Sequence, residues 1–178
     1  KKNPLLLNGY FNFSPINYNI SALAKNFNLD FLGLDKNIKE AGGIADIDIV
    51  FSPEQTVGTV LLNNFNYKTK DGITLVDNVN ADISVDNRKL NVNRLDGGYN
   101  GGTFTVDGNL DVPVIPEDFM RTKRLELGKF ELNTSLNSVK VRYGEDIDAV
   151  LTGDIVFTEN HLFGNITAES GEIRAIPS

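Results

Sequence analysis

The chain has 178 residues, 40% hydrophobic and 23% charged, a balance that fits folded protein and excludes a disordered tail, with one domain as the default. With Lys+Arg at 17 and Asp+Glu at 24, the net charge is −7, which argues against nucleic acid as a partner because that binding draws on clustered positive charge. Cysteine is absent, which excludes disulfides and thiolate metal sites, and no apolar run approaches the ~20 residues that span a bilayer.

In chain order, LLLNGYFNFS (residues 5–14) alternates around Asn12 and predicts a strand pair or one bent strand, with Gly9 marking a turn or bulge. Ile20, Leu23, Ala24, Phe27, Phe31 and Leu34 then recur at three and four, with Ser21 placed to cap. That spacing predicts one amphipathic helix around Ser21–Phe31. From Gly42 and Gly43 the period becomes two: Ile47, Ile49 and Phe51 lie on one side, Asp46 and Asp48 on the other. Gly58 opens the next strand. Gly72 opens the longest predicted one, in which Ile73, Leu75, Val79, Ala81, Ile83 and Val85 share a face before Asp86 and Asn87 turn the chain.

The alternation resumes at Leu90 and Val92, breaks over GGYNGG (residues 97–102), and continues through Phe104, Val106, Leu110 and Val112. Pro113, Pro116 and PEDFMRTK make an irregular connection at about 113–124, after which strands run from Leu125 through Ile173. The pattern predicts a mainly β single domain, 1–178, of roughly ten to twelve strands with one short helix. The chain begins at Lys1 without methionine and stops on IPS, so it is read as a piece of a longer protein. A meander with periodic glycine curls, and can close as a barrel, split into a sandwich or stop as an open trough.

A search for chemistry returns little. His161, in TENHLF, has no serine or cysteine nucleophile context and reads as a surface-turn residue. The pairs Asp46/Asp48 and Asp146/Asp148 lack the loop spacing of a calcium site and read as a solvated outer face. GGYNGG has no following helix and no Lys-Ser/Thr, so it is not a phosphate cradle. Asn19, Asn133 and Asn165 head glycosylation sequons, which an Asn-rich chain produces by chance. The expectation is a non-enzyme with no metal and no cofactor.

Several phrases recur in a fixed order: Gly43–Ile47, Gly58-Thr59-Val60, Gly72–Leu75, Gly101–Leu110, Leu151–Ile155, Gly164-Asn165-Ile166 and Gly171-Glu172-Ile173. In that order they resemble the C-terminal region of the TamB family, the inner-membrane-anchored subunit of the translocation and assembly module. The grammar is shared by AsmA-like proteins. The resemblance covers most of the chain from about Ile20; the Asn and Lys content departs from it. It implies a long curved antiparallel sheet forming a half-open apolar trough, a β-taco, in the periplasm. It also implies movement of phospholipid toward the outer membrane, and a BamA-related barrel as partner of the full-length protein.

On that reading the trough is lined by Ile47, Ile49, Ile73, Leu75, Val79, Ile83, Val85, Phe104, Val106, Leu110, Val112, Leu132, Val141, Leu151, Ile155 and Ile166, and its ligands are phospholipid acyl chains. Two alternatives remain open: a chaperone-like module whose sheet edges template outer-membrane β-barrel proteins or autotransporters, and a closed β-sandwich with a structural or adhesion role.

Overall fold

A computed structural model describes residues 3–34, 37–87, 89–111, 128–143 and 147–173. Strands take up 81% of these residues, which leaves almost nothing from which a second layer could be built. They are β1 (Leu6–Phe13), β2 (Ile16–Asn28), β3 (Ile38–Phe51), β4 (Thr56–Thr69) and β5 (Leu75–Asp86). The series continues with β6 (Lys89–Tyr99), β7 (Gly102–Asp111), β8 (Phe130–Tyr143), β9 (Ile147–Thr158) and β10 (Leu162–Ile173). All ten form one sheet in sequence order, each antiparallel to its neighbours. The irregular connection expected at 113–124 and Val112 fall outside the described residues.

The predicted amphipathic helix is not formed. The segment is strand β2, followed only by a five-residue 3-10 turn at Asp30–Leu34. The reason lies in a bulge. Tyr18, Ile20, Ala22 and Ala24 alternate with Asn17, Asn19, Ser21 and Leu23 as strand residues: 16–23 pair with β1, and 20–24 pair with β3. Asn26 then adopts φ 49° and the register shifts between Ala24 and Phe27. That shift returns Phe27 to the face of Ala24, so a period-two strand acquires the i, i+3 spacing of a helix.

Similar left-handed residues sit in other strands. Asn64, Asn78 and Ser138 have φ of 51°, 51° and 52°, each at a register shift. Asparagine reaches this region at low cost because its short amide bonds locally. Asn100 and Gly101, with φ 48° and 90°, turn β6 into β7 as a two-residue hairpin. GGYNGG is therefore partly a turn. Its Gly97 leaves room for Val79, whose Cγ2 would lie 2.6 Å from an added Cβ.

Two strand openings also differ from expectation. β4 starts at Thr56 rather than Gly58, and β5 at Leu75 with Gly72 in the preceding turn. The longest strands are β3, β4 and β8 at 14 residues each.

Candidate functional site

Residues paired across antiparallel strands project to the same side of a sheet, so the registers define two faces across all ten strands. One runs Phe11, Tyr18, then Ile20 and Phe51, then Ile47, Val60, Ile83 and Val92. Beyond the next bulge it continues through Leu95, Val106, Thr134, Ile155 and Gly164. The opposite face carries Asp48 with Thr59, Asp82 with Arg94, Asp107 with Asn133, and Ser135 with Asp154. The apolar face is continuous from one edge of the sheet to the other.

Every buried hydrophobic residue lies on that face: Tyr18, Ala24, Ala45, Val79, Ala81, Val85, Val92, Val139 and Ile155. Among the described residues, substantial contacts between elements occur only between sequence neighbours, so no distant strand covers them. A flat single layer would leave such side chains wet. Burial to 1% exposure at Tyr18 and 8% at Ile155 therefore requires the sheet to curl toward its apolar side. Among the described residues β1 pairs only with β2 and β10 only with β9, so the curl of the described sheet does not close. A sandwich is absent among the described residues, and the arrangement is an open trough. The chain exposes 11943 Å², against about 8,600 Å² for a compact monomer of this size.

Glycines permit the curl. Gly9, Gly58, Gly108, Gly153 and Gly164 have φ between 140° and 155°, and a Cβ at any of them would strike a neighbouring strand's carbonyl oxygen. All five lie on the apolar face, and each sits opposite a large aliphatic residue: Ile20 for Gly9, Ile49 and Val85 for Gly58, Val92 and Leu132 for Gly108. Gly153 faces Leu136 and Ile166, and Gly164 faces Ile155.

Most of the lining residues expected from sequence reach this face: Ile47, Ile49, Val79, Ile83, Val85, Phe104, Val106, Leu110, Leu132, Val141, Leu151, Ile155 and Ile166. Two do not. Leu75 pairs with Lys68 on the opposite face, because the bulge at Asn78 brings Val76, not Leu75, into phase with Val79. Ile73 lies in the turn before β5, exposed. Alternation as read from the sequence misses Tyr18, which lies ahead of the expected helix, and Ala22 and Ala24, which lie within it; the Asn17-Tyr18-Asn19-Ile20 alternation is the signal that points to a strand. Phe11, Tyr18 and Phe51 stack across β1 to β3, with ring centroids 5.6 and 5.0 Å apart.

The polar face is chemically quiet. Arg142 donates to Asp148 at 3.1 Å and Lys140 lies 3.5 Å from it; the guanidinium bond and the ammonium charge hold the Asp148 carboxyl below its ordinary range. His161 sits in the β9–β10 turn, its N–H donating to Thr158 Oγ1 at 3.1 Å. Asp46 accepts the backbone N–H of Asn26 at 2.5 Å, a bulge cap rather than half of a cation site. Among the described residues, no group of three His, Cys, Asp or Glu converges as metal ligands, and no helix is long and apolar enough to cross a membrane.

The fold and site define a class, a one-layer antiparallel sheet curled into an open apolar trough. No family model, curated protein or solved structure matches the chain.

Proposed function

We propose that this chain is a segment of a periplasmic bridge whose apolar trough carries phospholipid acyl chains between inner and outer membranes. The observation that carries the reading is the apolar face running unbroken through β1–β10 with no second layer over it among the described residues. Ten strands ~4.8 Å apart make a trough on the order of 50 Å long, longer than one lipid and shorter than a periplasm. Acyl chains are as apolar as the trough wall, so sliding along it is nearly level in free energy. Exposure to water would instead cost ~0.8 kcal/mol per CH₂. The ordered glycine phrases shared with TamB-type proteins supply the rest of the proposal: inner-membrane anchoring of the full-length protein, and a BamA-related barrel as its outer-membrane partner.

Native mass spectrometry of the chain expressed in bacteria tests this. Co-purified phospholipid is the expected result, and lipid-free protein from several preparations would overturn the reading. Ile83→Asp and Val106→Asp alter half-buried trough positions and should abolish the bound lipid while circular dichroism retains the sheet. If both unfold, the face is core rather than conduit. The edge-templating alternative predicts that photo-crosslinkers on this face capture unfolded β-barrel protein in place of lipid.

A further inference from the structure

Ile73 and Leu75, the two apolar residues that miss the trough, meet instead at a notch on the polar side of its rim. The notch exists because the β6–β7 hairpin stops short. β7 begins at Gly102, and its pairing with β8 reaches that end at Thr103 and Asn137, whereas β8 runs on to Tyr143. The Asn100 carboxamide ties the hairpin tip to both walls. Its Oδ1 accepts the Leu75 N–H at 2.7 Å, and its Nδ2 donates to Ile73 O at 3.1 Å and to Lys140 O at 3.2 Å. The open cavity between the β4–β5 turn and the end of β8 measures about 340 Å³. Gly72 and Gly101 border it, and nothing lies within 4 Å of a Cβ added at either.

The wall supplied by β8 is cationic. Lys140 and Arg142 are two apart on one strand, so they share a face, and the notch they line includes no carboxylate. Their heads already converge: Arg142 Nη2 lies 3.1 Å and Lys140 Nζ 3.5 Å from one oxygen, Asp148 Oδ2. Arg142 spends one of its N–H donors on that bond. Both side chains stay about half exposed, which leaves their remaining donors open to a ligand.

We infer that this notch binds a phosphate monoester. A guanidinium matches phosphate oxygens as a fork, and a neighbouring ammonium adds a point charge. A phosphate monoester presents three terminal oxygens and about −1.5 to −2 charges, enough to serve both cations while Asp148 keeps its place. Exposed Ile73 and half-buried Leu75 give the carbon beside the ester oxygen an apolar wall. A lipid headgroup and a soluble ester present the same chemistry. The site lies outside the trough and holds whether or not acyl chains travel along it.

Nuclear magnetic resonance of the chain titrated with glycerol phosphate at constant ionic strength reads the site. The amides of Gly72, Ile73, Asn100 and Gly101 should shift together and saturate. Arg142→Gln should weaken binding by about tenfold. Asp148→Asn, which removes the competing carboxylate, should tighten it by about threefold. Lys89→Gln takes the same charge from the far end of β6 and should change nothing. Flotation with phosphatidylcholine vesicles, with and without phosphatidic acid, separates the two sources. Retention that needs phosphatidic acid and is lost in Arg142→Gln assigns a lipid headgroup, whereas saturable glycerol phosphate binding without retention assigns a soluble ester. Shifts that never saturate, that spread over both ends of the strands, or that persist at full strength in Arg142→Gln overturn the inference. Lipid-free protein in native mass spectra leaves these titrations unchanged, so failure here is distinguishable from failure of the trough reading.

Discussion

Asn66 and Asn80 stand across β4 and β5 as reciprocal clamps on two facing bulges. Asn80 Oδ1 accepts the N–H of left-handed Asn64 at 3.1 Å, and Asn66 Oδ1 accepts the N–H of left-handed Asn78 at 3.0 Å. Each carboxamide also donates back to its own strand: Asn66 Nδ2 to Asn64 O at 2.7 Å, and Asn80 Nδ2 to Asn78 O at 3.0 Å. Four bonds thus secure donors and carbonyls that the ladder leaves unpaired where the register slips. Ser138 repeats the device, its N–H donating to Thr152 Oγ1 at 2.8 Å.

Removing either clamp should therefore cost more than a surface substitution. Asn80→Ala deletes two bonds and frees the N–H of Asn64, for an expected loss of about 1–2 kcal/mol in urea unfolding. Asn66→Ala should lose a similar amount. The double variant should lose less than the sum, because each amide stabilises both bulges. Strict additivity would show that the two clamps act independently.

Gly58 and Gly72 both have positive φ, 148° and 71°, yet they should respond differently to alanine. At Gly58 a Cβ meets the backbone carbonyl of Asp48, whereas at Gly72 nothing lies within 4 Å. Gly72→Ala should cost only the left-handed conformation, about 1–2 kcal/mol. Gly58→Ala must also move a strand, and should abolish the cooperative unfolding transition or lower its midpoint far more. Equal midpoints for the two variants would remove the glycine's role in bringing the strands together.

Thr56 Oγ1 is buried without a hydrogen-bond partner, opposite Phe51 on the apolar face. An unsatisfied buried hydroxyl costs about 1–3 kcal/mol, so Thr56→Val, which keeps the branched shape, should raise stability by about 1 kcal/mol. A fall in stability on thermal or urea unfolding would mean that the hydroxyl has a partner in solution.

Asp148 gives a pH signature. Its carboxyl is held below the ordinary range by the Arg142 hydrogen bond, with Lys140 adding to it. A folded pKa below the unfolded one contributes stability above the unfolded value of ~3.9, and that contribution disappears as pH falls through the folded value. The difference in urea midpoint between the wild type and Asp148→Asn should be flat at neutral pH and shrink below about pH 4. A difference that grows with acid would contradict the arrangement.

Strand grammar was legible wherever alternation ran without interruption. Ile47 with Ile49, Ile83 with Val85, and Phe104 with Val106 landed on one face because period two is fixed by strand geometry. Bulges were the illegible part. A single left-handed asparagine reverses the phase of everything beyond it, so Asn78 set Leu75 off the trough and Val76 on it. Asn26 likewise made a strand look helical. Local sequence does not announce which asparagine will turn, because the cap that stabilises it, such as Asp46 or Asn80, comes from another strand.

By itself, the sequence determined the β class, the one-sided polarity and the glycine positions, because each follows from alternation and from side-chain size within a few residues. Only the tertiary structure decided that, among the described residues, the sheet stays a single open layer and the buried apolar side chains share one face. Curl, register and closure depend on how ten strands meet, through carbonyl approaches at glycine and cross-strand caps at bulges. Those are contacts between residues far apart in the chain.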